Sequence, residues 1–254
     1  MTPYIRMRLA NKDKGNFRAE GNVLWIYDAI ASDEEEAMWF GGISPKQFMK
    51  ALGDTTGPVT VRVNSPGGSV FGAQAMVTAM RAHPHLITVQ VDSLAASAAS
   101  VIATAAAKLV MVPGSMLMIH KAWSIAVGNE TDMHKTGDLL AKIDGEIAAT
   151  YAARAGKPAE HFIDLMAAET WLTADEAVAE GLADEVVTEN TQRPKAQWNL
   201  SGYAKAPALP EPDEAPADPV ENIEPAAPVE PPAAPDMQAR RARELAARLV
   251  ANPI

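Results

Sequence analysis

The chain contains no cysteine among its 254 residues, which excludes disulfides, thiolate metal sites and cysteine nucleophiles. It also lacks a basic excess. Acidic side chains number 32 against 22 Lys and Arg, and the resulting charge of −10 argues against nucleic acid or an anionic membrane as the main partner. Long apolar runs are missing too. The longest stretch of small apolar residues, Leu94 to Ala107, is broken by serines and a threonine and ends at Lys108, too short and too polar to span a bilayer. The start, Met1-Thr2-Pro3-Tyr4-Ile5-Arg6-Met7-Arg8, has no signal-peptide core, so we expect a soluble, cytoplasmic protein. The five histidines, at 83, 85, 120, 134 and 161, show no zinc-like spacing with carboxylates, and no metal or cofactor is expected.

What is present is a sizeable core: 48% of the residues are hydrophobic. Residues 1–22 have little period and read as an arm or an edge strand. Val23–Tyr27, Val59–Val63, Ile87–Val91, Leu109–Val112 and Met116–His120 read as strands, being β-branched or bulky and bounded by turn residues. Ser44-Pro45 reads as an N-cap with proline in the first turn, and Phe48, Met49 and Leu52 as that helix's apolar face. A long helix is expected over Thr131–Ala155, with Leu140, Ile143, Ile147 and Tyr151 on one face. Thr173 and Glu176 form a capping box that opens another helix. Strands alternating with helices imply a layered α/β fold with parallel pairing.

Composition changes near residue 190, and eleven prolines lie between Pro194 and Pro235 among alanines and glutamates. Such a segment buries too little apolar area to offset its ordering entropy. The expected organisation is therefore a folded domain over 1–190, a disordered Pro/Ala/Glu-rich linker over 191–236 and a short helix over 237–254.

Three stretches carry chemistry. Val89 to Ala103 runs from a β-branched segment into small residues, with Ser97 at the changeover. A nucleophilic oxygen at a strand-to-helix turn has unpaired backbone N–H groups beside it, ready to stabilise an oxyanion. Ser93 and Ser100 are the rival serines, read as packing residues. In Asn64-Ser65-Pro66-Gly67-Gly68 the glycines permit backbone conformations that would aim an N–H at a bound carbonyl; an ordinary turn is the plainer reading. His120 ends an apolar run and is the candidate base.

Together, Asn64-Ser65-Pro66-Gly67-Gly68-Ser69-Val70, Leu94-Ala95-Ala96-Ser97-Ala98-Ala99-Ser100, Met118-Ile119-His120 and Trp171-Leu172-Thr173-Ala174-Asp175-Glu176-Ala177 with Gly181-Leu182-Ala183-Asp184 resemble ClpP, the Clp protease proteolytic subunit. The resemblance spans roughly residues 20–188 and is greatest to ClpP-like head-maturation proteases of tailed phages and prophages. It implies a ClpP/crotonase-like fold of repeated ββα units in layered parallel sheets. It also implies a serine endopeptidase with Ser97 as nucleophile, His120 as general base, and the N–H groups of Gly68 and Ala98 as the oxyanion hole. The family has an aspartate where this sequence has Glu169; Glu169 is the candidate third member, and Asp164 the alternative. The resemblance further implies a homo-oligomeric ring, a heptamer or tetradecamer, with the Thr131–Ala155 helix interlocking opposed rings. Its partners would be polypeptide substrates and either a Clp ATPase or phage scaffold, portal and coat proteins. The competing readings are a catalytically weak structural ring and a crotonase-type acyl-CoA enzyme.

Overall fold

The structure, a computed structural model, describes residues 1–187 and 198–207, all within a compact unit running from Met1 to Pro212. Its centre is a parallel sheet in the order β2 (Val23–Tyr27), β3 (Val59–Ser65), β4 (Ile87–Ala96), β5 (Lys108–Met111), β8 (Glu185–Val186). The antiparallel edge strand β1 (Asn16–Glu20) flanks β2. The expected α/β architecture with parallel pairing is found.

Strand β4 organises the molecule because it changes neighbour. Its first half, residues 88–91, pairs with β5; its second half, residues 94–96, pairs with β6 (Met116–Ile119). The antiparallel strand β7 (Thr170–Thr173) then adds to β6. Asp92 sits where the change occurs and is almost fully buried. Its carboxylate accepts from Arg62 Nε and Nη2 of β3, both at 2.8 Å, from the Tyr27 hydroxyl of β2 at 2.5 Å, and from Gln90 Nε2 at 2.8 Å. Four donors satisfy the lone pairs of a carboxylate that would otherwise be costly to bury.

The helices pack mainly on one face. They are α3 (Pro45–Gly53), α4 (Val70–Ala82), α5 (Ala98–Thr104), α6 (Glu130–Ala155) and α7 (Ala159–Ala167), with α8 (Ala174–Ala179) after β7. The short helix α2 (Glu34–Phe40) has no buried residue. Phe48 and Leu52 of α3 enter the core as expected, whereas Met49 is 43% exposed. In α6 only the second half is buried, through Asp144, Ile147, Ala148 and Tyr151; the first half projects with Met133 and Leu139 exposed.

Two expectations need correction. Residues 1–22 contain, besides the edge strand, a helix α1 (Pro3–Asn11), whose signal was Thr2-Pro3: Thr2 caps it and proline fills its first turn. The proposed linker does not hold over residues 198–207, where Trp198, Leu200 and Tyr203 are buried with Met7, Leu94, Ala96 and Met118 in a second apolar cluster. The reason lies in the strand period. Odd-numbered Val89, Val91 and Ala95 enter the main core, so Leu94 and Ala96 face the other way and need their own cover. Burying each large apolar side chain contributes on the order of 1.5–3 kcal/mol, which offsets part of the segment's ordering entropy, and its hydrogen bonds to Asn11, Asn64 and Pro66 add to that. The remainder of 191–236 and the helix expected over 237–254 lie outside the described residues.

Replacing Asp92 by Ala should destabilise the fold by about 3 kcal/mol, because Arg62 and Tyr27 lose their common acceptor while Arg62 keeps partial access to water. Urea unfolding measures this, and a loss below about 1 kcal/mol would show that the network is marginal.

Candidate active site

Ser97 lies between β4 and α5 with φ 54° and ψ −123°, a conformation that non-glycine residues rarely adopt. The β-strand delivers the chain to this point and the helix leaves it at once, so the side chain stands clear on the turn, as at a nucleophile elbow. Two sets of bonds hold the turn. Ser97 N donates to Met118 O at 2.9 Å, and Ser97 O accepts from Ser100 N at 2.9 Å and from Ser100 Oγ at 2.6 Å. Ser100 is itself fully buried, and its hydroxyl also pairs with that of Tyr151 at 2.7 Å. This rival serine is therefore part of the scaffold. Ser93 is in β4, four residues before the turn.

The Pro66-Gly67-Gly68 loop passes directly over Ser97, and its glycines are required. A Cβ on Gly67, where φ is 86°, would lie 2.4 Å from Ala96 O and 2.8 Å from Ser97 Cβ; one on Gly68, where φ is 150°, would lie 2.0 Å from Ile30 O. Ser69 N donates to Ile30 O and Ile30 N to Gly67 O, both at 2.9 Å, so the loop is pinned on either side of Gly68. Ala98 opens α5, and its N–H has no intrahelical acceptor. The loop and the helix start thus bring Gly68 and Ala98 to the same turn as Ser97.

His120 follows β6, which pairs with the end of β4, and this register brings its Nε2 to 2.7 Å from Ser97 Oγ. The chain beyond it is anchored: Lys121 N donates to Met166 O at 3.2 Å and Ala122 N to Asp144 Oδ1 at 2.7 Å. Burial holds the His120 imidazole below the ordinary histidine range, against the opposing pull of the Glu169 charge. A histidine kept neutral near neutral pH has a lone pair with which to take a hydroxyl proton.

Glu169 precedes β7. The antiparallel pairing of Ile119 with Thr170 brings the residues that flank them, His120 and Glu169, to the same end of the β6–β7 pair. Its backbone takes φ 49°. Its carboxylate accepts from Lys205 N at 2.6 Å, Ala204 N at 2.9 Å and Trp171 Nε1 at 3.3 Å. Burial pushes Glu169 up, but these donors and the facing imidazole outweigh it, and the group stays ionised below the usual glutamate range. Asp164, the alternative, is exposed on α7.

A cleft of about 420 Å³ opens beside Ser97 and His120, between Gly68 and Phe71 on one side and Leu139 and Ile143 of α6 on the other. Tyr4 of α1 also lines it. Ser97 and His120 are thus in hydrogen-bond contact beside Gly68 and Ala98, while Glu169 acts on His120 through its charge alone. Sequence reasoning missed Tyr203, whose ring stands edge-on to His120 at 5.3 Å; the signal was a cluster of bulky residues, Trp198, Leu200 and Tyr203, within a proline- and alanine-rich stretch. Among the described residues no group of His, Asp or Glu is arranged to hold a metal ion, and no helix is long and apolar enough to cross a membrane.

The family profile described as Clp protease matches residues 46–190, more than half of the chain. The chain is 27% identical over 169 residues to an ATP-dependent Clp protease proteolytic subunit of Leuconostoc citreum (strain KM20), a match covering 65% of this chain and 84% of that protein. It is 30% identical over 141 residues to the subunit of the same name from Streptococcus gordonii, covering 54% and 72%. With ATP-dependent Clp protease proteolytic subunit 1 of Chlamydia caviae it shares 30% over 168 residues, covering 64% and 82%.

Because the Glu169 charge raises the His120 pKa and burial lowers it, Glu169→Gln should move the histidine further down. NMR titration of the imidazole reads this, and an unmoved value would show that the carboxylate does not act on the ring.

Proposed function

Since the chain belongs to the Clp protease family and is a serine peptidase, we propose that Ser97 is its nucleophile, His120 its general base and Glu169 the group that stabilises the imidazolium. The observation that carries this reading is the 2.7 Å contact between Ser97 Oγ and His120 Nε2 at a turn held in a strained conformation. His120 takes the proton from Ser97 as the oxygen attacks the scissile carbonyl carbon. The N–H groups of Gly68 and Ala98 receive the negative charge that develops on the carbonyl oxygen. The tetrahedral adduct collapses to an acyl-enzyme while the imidazolium returns its proton to the departing amine. Water then enters, gives a proton to His120 and releases the carboxylic acid, with Ser97 regenerated. Glu169 remains ionised throughout and acts through its charge, its oxygens being held by other donors.

The endopeptidase works as a homo-oligomeric ring, a heptamer or a stacked tetradecamer. Exposed Met133 and Leu139 on the projecting half of α6, with exposed Phe71 and Leu86 on and after α4, support this reading, since large apolar side chains on a surface favour association. Its substrates are polypeptides, presented by a Clp ATPase or met as scaffold and coat proteins of a phage prohead. The proline-rich sequence beyond the family match favours the second setting, in which that extension holds the protease to a scaffold or portal component. Normal prohead entry by a chain lacking the extension would remove that part of the proposal.

A fluorophosphonate probe should label the wild type and Ser100→Ala but not Ser97→Ala, with the adduct mapping to the peptide that contains Ser97. Labelling that persists in Ser97→Ala would assign the wrong serine, and an unlabelled, folded wild type would favour the structural ring. Sedimentation velocity should show a ring of at least seven copies, disrupted by Leu139→Glu; a monomeric wild type would refute the assembly.

A further inference from the structure

The peptidase site is closed from behind by a piece of chain that lies outside the family match, residues 198–207. This segment is fastened along its length. Trp198 Nε1 donates to Asn64 Oδ1 at 2.9 Å, and Asn199 and Asn11 exchange two hydrogen bonds of 2.8 Å between the segment and α1. The Tyr203 hydroxyl donates to Pro66 O at 2.5 Å, on the loop that carries Gly68. Its ring stands at 88° to the His120 imidazole and at 76° to the Trp171 indole, 5.8 Å away. The next two residues give their N–H groups to Glu169, and the Lys205 ammonium donates to Ala168 O beside it. Three consecutive residues thus touch three parts of the site: the oxyanion loop, the histidine and the carboxylate.

Two explanations fit a segment packed on an active site: it blocks the site or it builds it. Blocking would place the segment in the substrate cleft. The cleft beside Ser97 is walled by no residue of 198–207, and a neighbouring one that His120 also lines receives only Gly202. Ser97 and His120 both stay partly exposed on the open side. The contacts are instead those that a longer carboxylate side chain would need. Glutamate has one more rotatable bond than aspartate, so Glu169 must be immobilised to present a fixed charge to His120, and fixed N–H donors do this.

We propose that residues 198–207 are a built-in positioning element of the peptidase, in which Tyr203 holds the His120 ring and the Pro66 loop, and the Ala204 and Lys205 amides hold Glu169. This rests on the assignment of Ser97, His120 and Glu169 above. Tyr203 is a positioning residue: it sets the angle of the base and, through Pro66 O, the height of the oxyanion loop. The titratable groups around it are Glu169 before β7, Tyr4 and Arg8 of α1, and His120 itself; Glu169 is the one that acts on His120 through its charge.

The test is a pH profile of kcat/KM with a peptide substrate, using the full chain. Tyr203→Ala uncovers the imidazole, so the acid limb should move up by about half a pH unit and kcat should fall about tenfold. Tyr203→Phe keeps the ring and loses the hydroxyl, with its bond to Pro66 O and its contact with the Ser97 side chain, so kcat should fall about fivefold with the acid limb unmoved. Lys205→Pro removes a donor to Glu169 and should lower kcat by more than Lys205→Ala, which keeps the N–H and loses only the ammonium bond to Ala168 O. The phenylalanine variant and the Lys205 pair carry the test even where Tyr203→Ala fails to fold. Wild-type profiles in Tyr203→Phe and Lys205→Pro would overturn the proposal, and so would raised activity in either, which would mark the segment as inhibitory. Fluorophosphonate labelling separates the two levels: a wild type labelled at Ser97 with indifferent Tyr203 variants sinks only this inference, whereas labelling that survives Ser97→Ala sinks the assignment beneath it.

Discussion

The positive φ of Ser97 is the constraint on which the rest of the site depends. A non-glycine residue in such a conformation costs on the order of 1–3 kcal/mol and persists only where its surroundings over-determine it. Here they do. The preceding strand is committed to β6 through Ser97 N and Met118 O, the following helix is tied back through Ser100, and two glycines above leave no room for the turn to relax upward. On the proposed assignment, the same contacts that offset the strain also set up the chemistry. The bond to Met118 O fixes the register that brings His120 to the hydroxyl, and the close glycine loop is the one that carries the Gly68 amide.

Strand β4 explains how one turn can be over-determined from several sides. Because its two halves pair with different strands, its end is surrounded by β3, β6 and the loop after β3 rather than lying on a flat sheet. Asp92 sits where the neighbour changes and collects side-chain donors from β2, β3 and its own strand. A buried carboxylate is poor evidence for net stability, since burial costs what pairing returns. Its value here is geometric, for it ties three adjacent strands together ahead of the Ser97 turn.

Much of this was legible in the sequence because the relevant signals are local. Ser44-Pro45, the Thr173–Glu176 capping box and the β-branched runs each depend on a few neighbouring residues, and so do the glycines after Pro66. The family motifs pointed to Ser97 and His120, whose side chains lie 2.7 Å apart. What stayed hidden was long-range. Trp198, Leu200 and Tyr203 looked like part of a proline-rich linker, because composition averages over a window and cannot see that Leu94, Ala96 and Met118 present an uncovered face about a hundred residues away in the chain. The apolar run Met116–Ile119 held the clue. With no polar alternation, such a strand is buried on both faces, and a second cover was needed. Helix α1 was missed for the opposite reason: its cap was plain, but its body, with two arginines and an asparagine, has little amphipathic period.

The basicity of His120 is set by two opposed effects that arrive from different ends of the chain. Burial lowers it, and the Glu169 charge raises it. A base that is too weak takes the serine proton poorly, and one that is too strong is already protonated near neutral pH. The burial comes in part from the Tyr203 ring, and the fixed charge from amides of the two residues that follow. A single short segment therefore bears on both sides of the balance. Moving it away would solvate the imidazole and loosen the carboxylate together, so the two changes would partly cancel in the histidine's pKa while adding in lost orientation. Rate is thus the more sensitive witness to this segment, and the pKa alone would understate what it does.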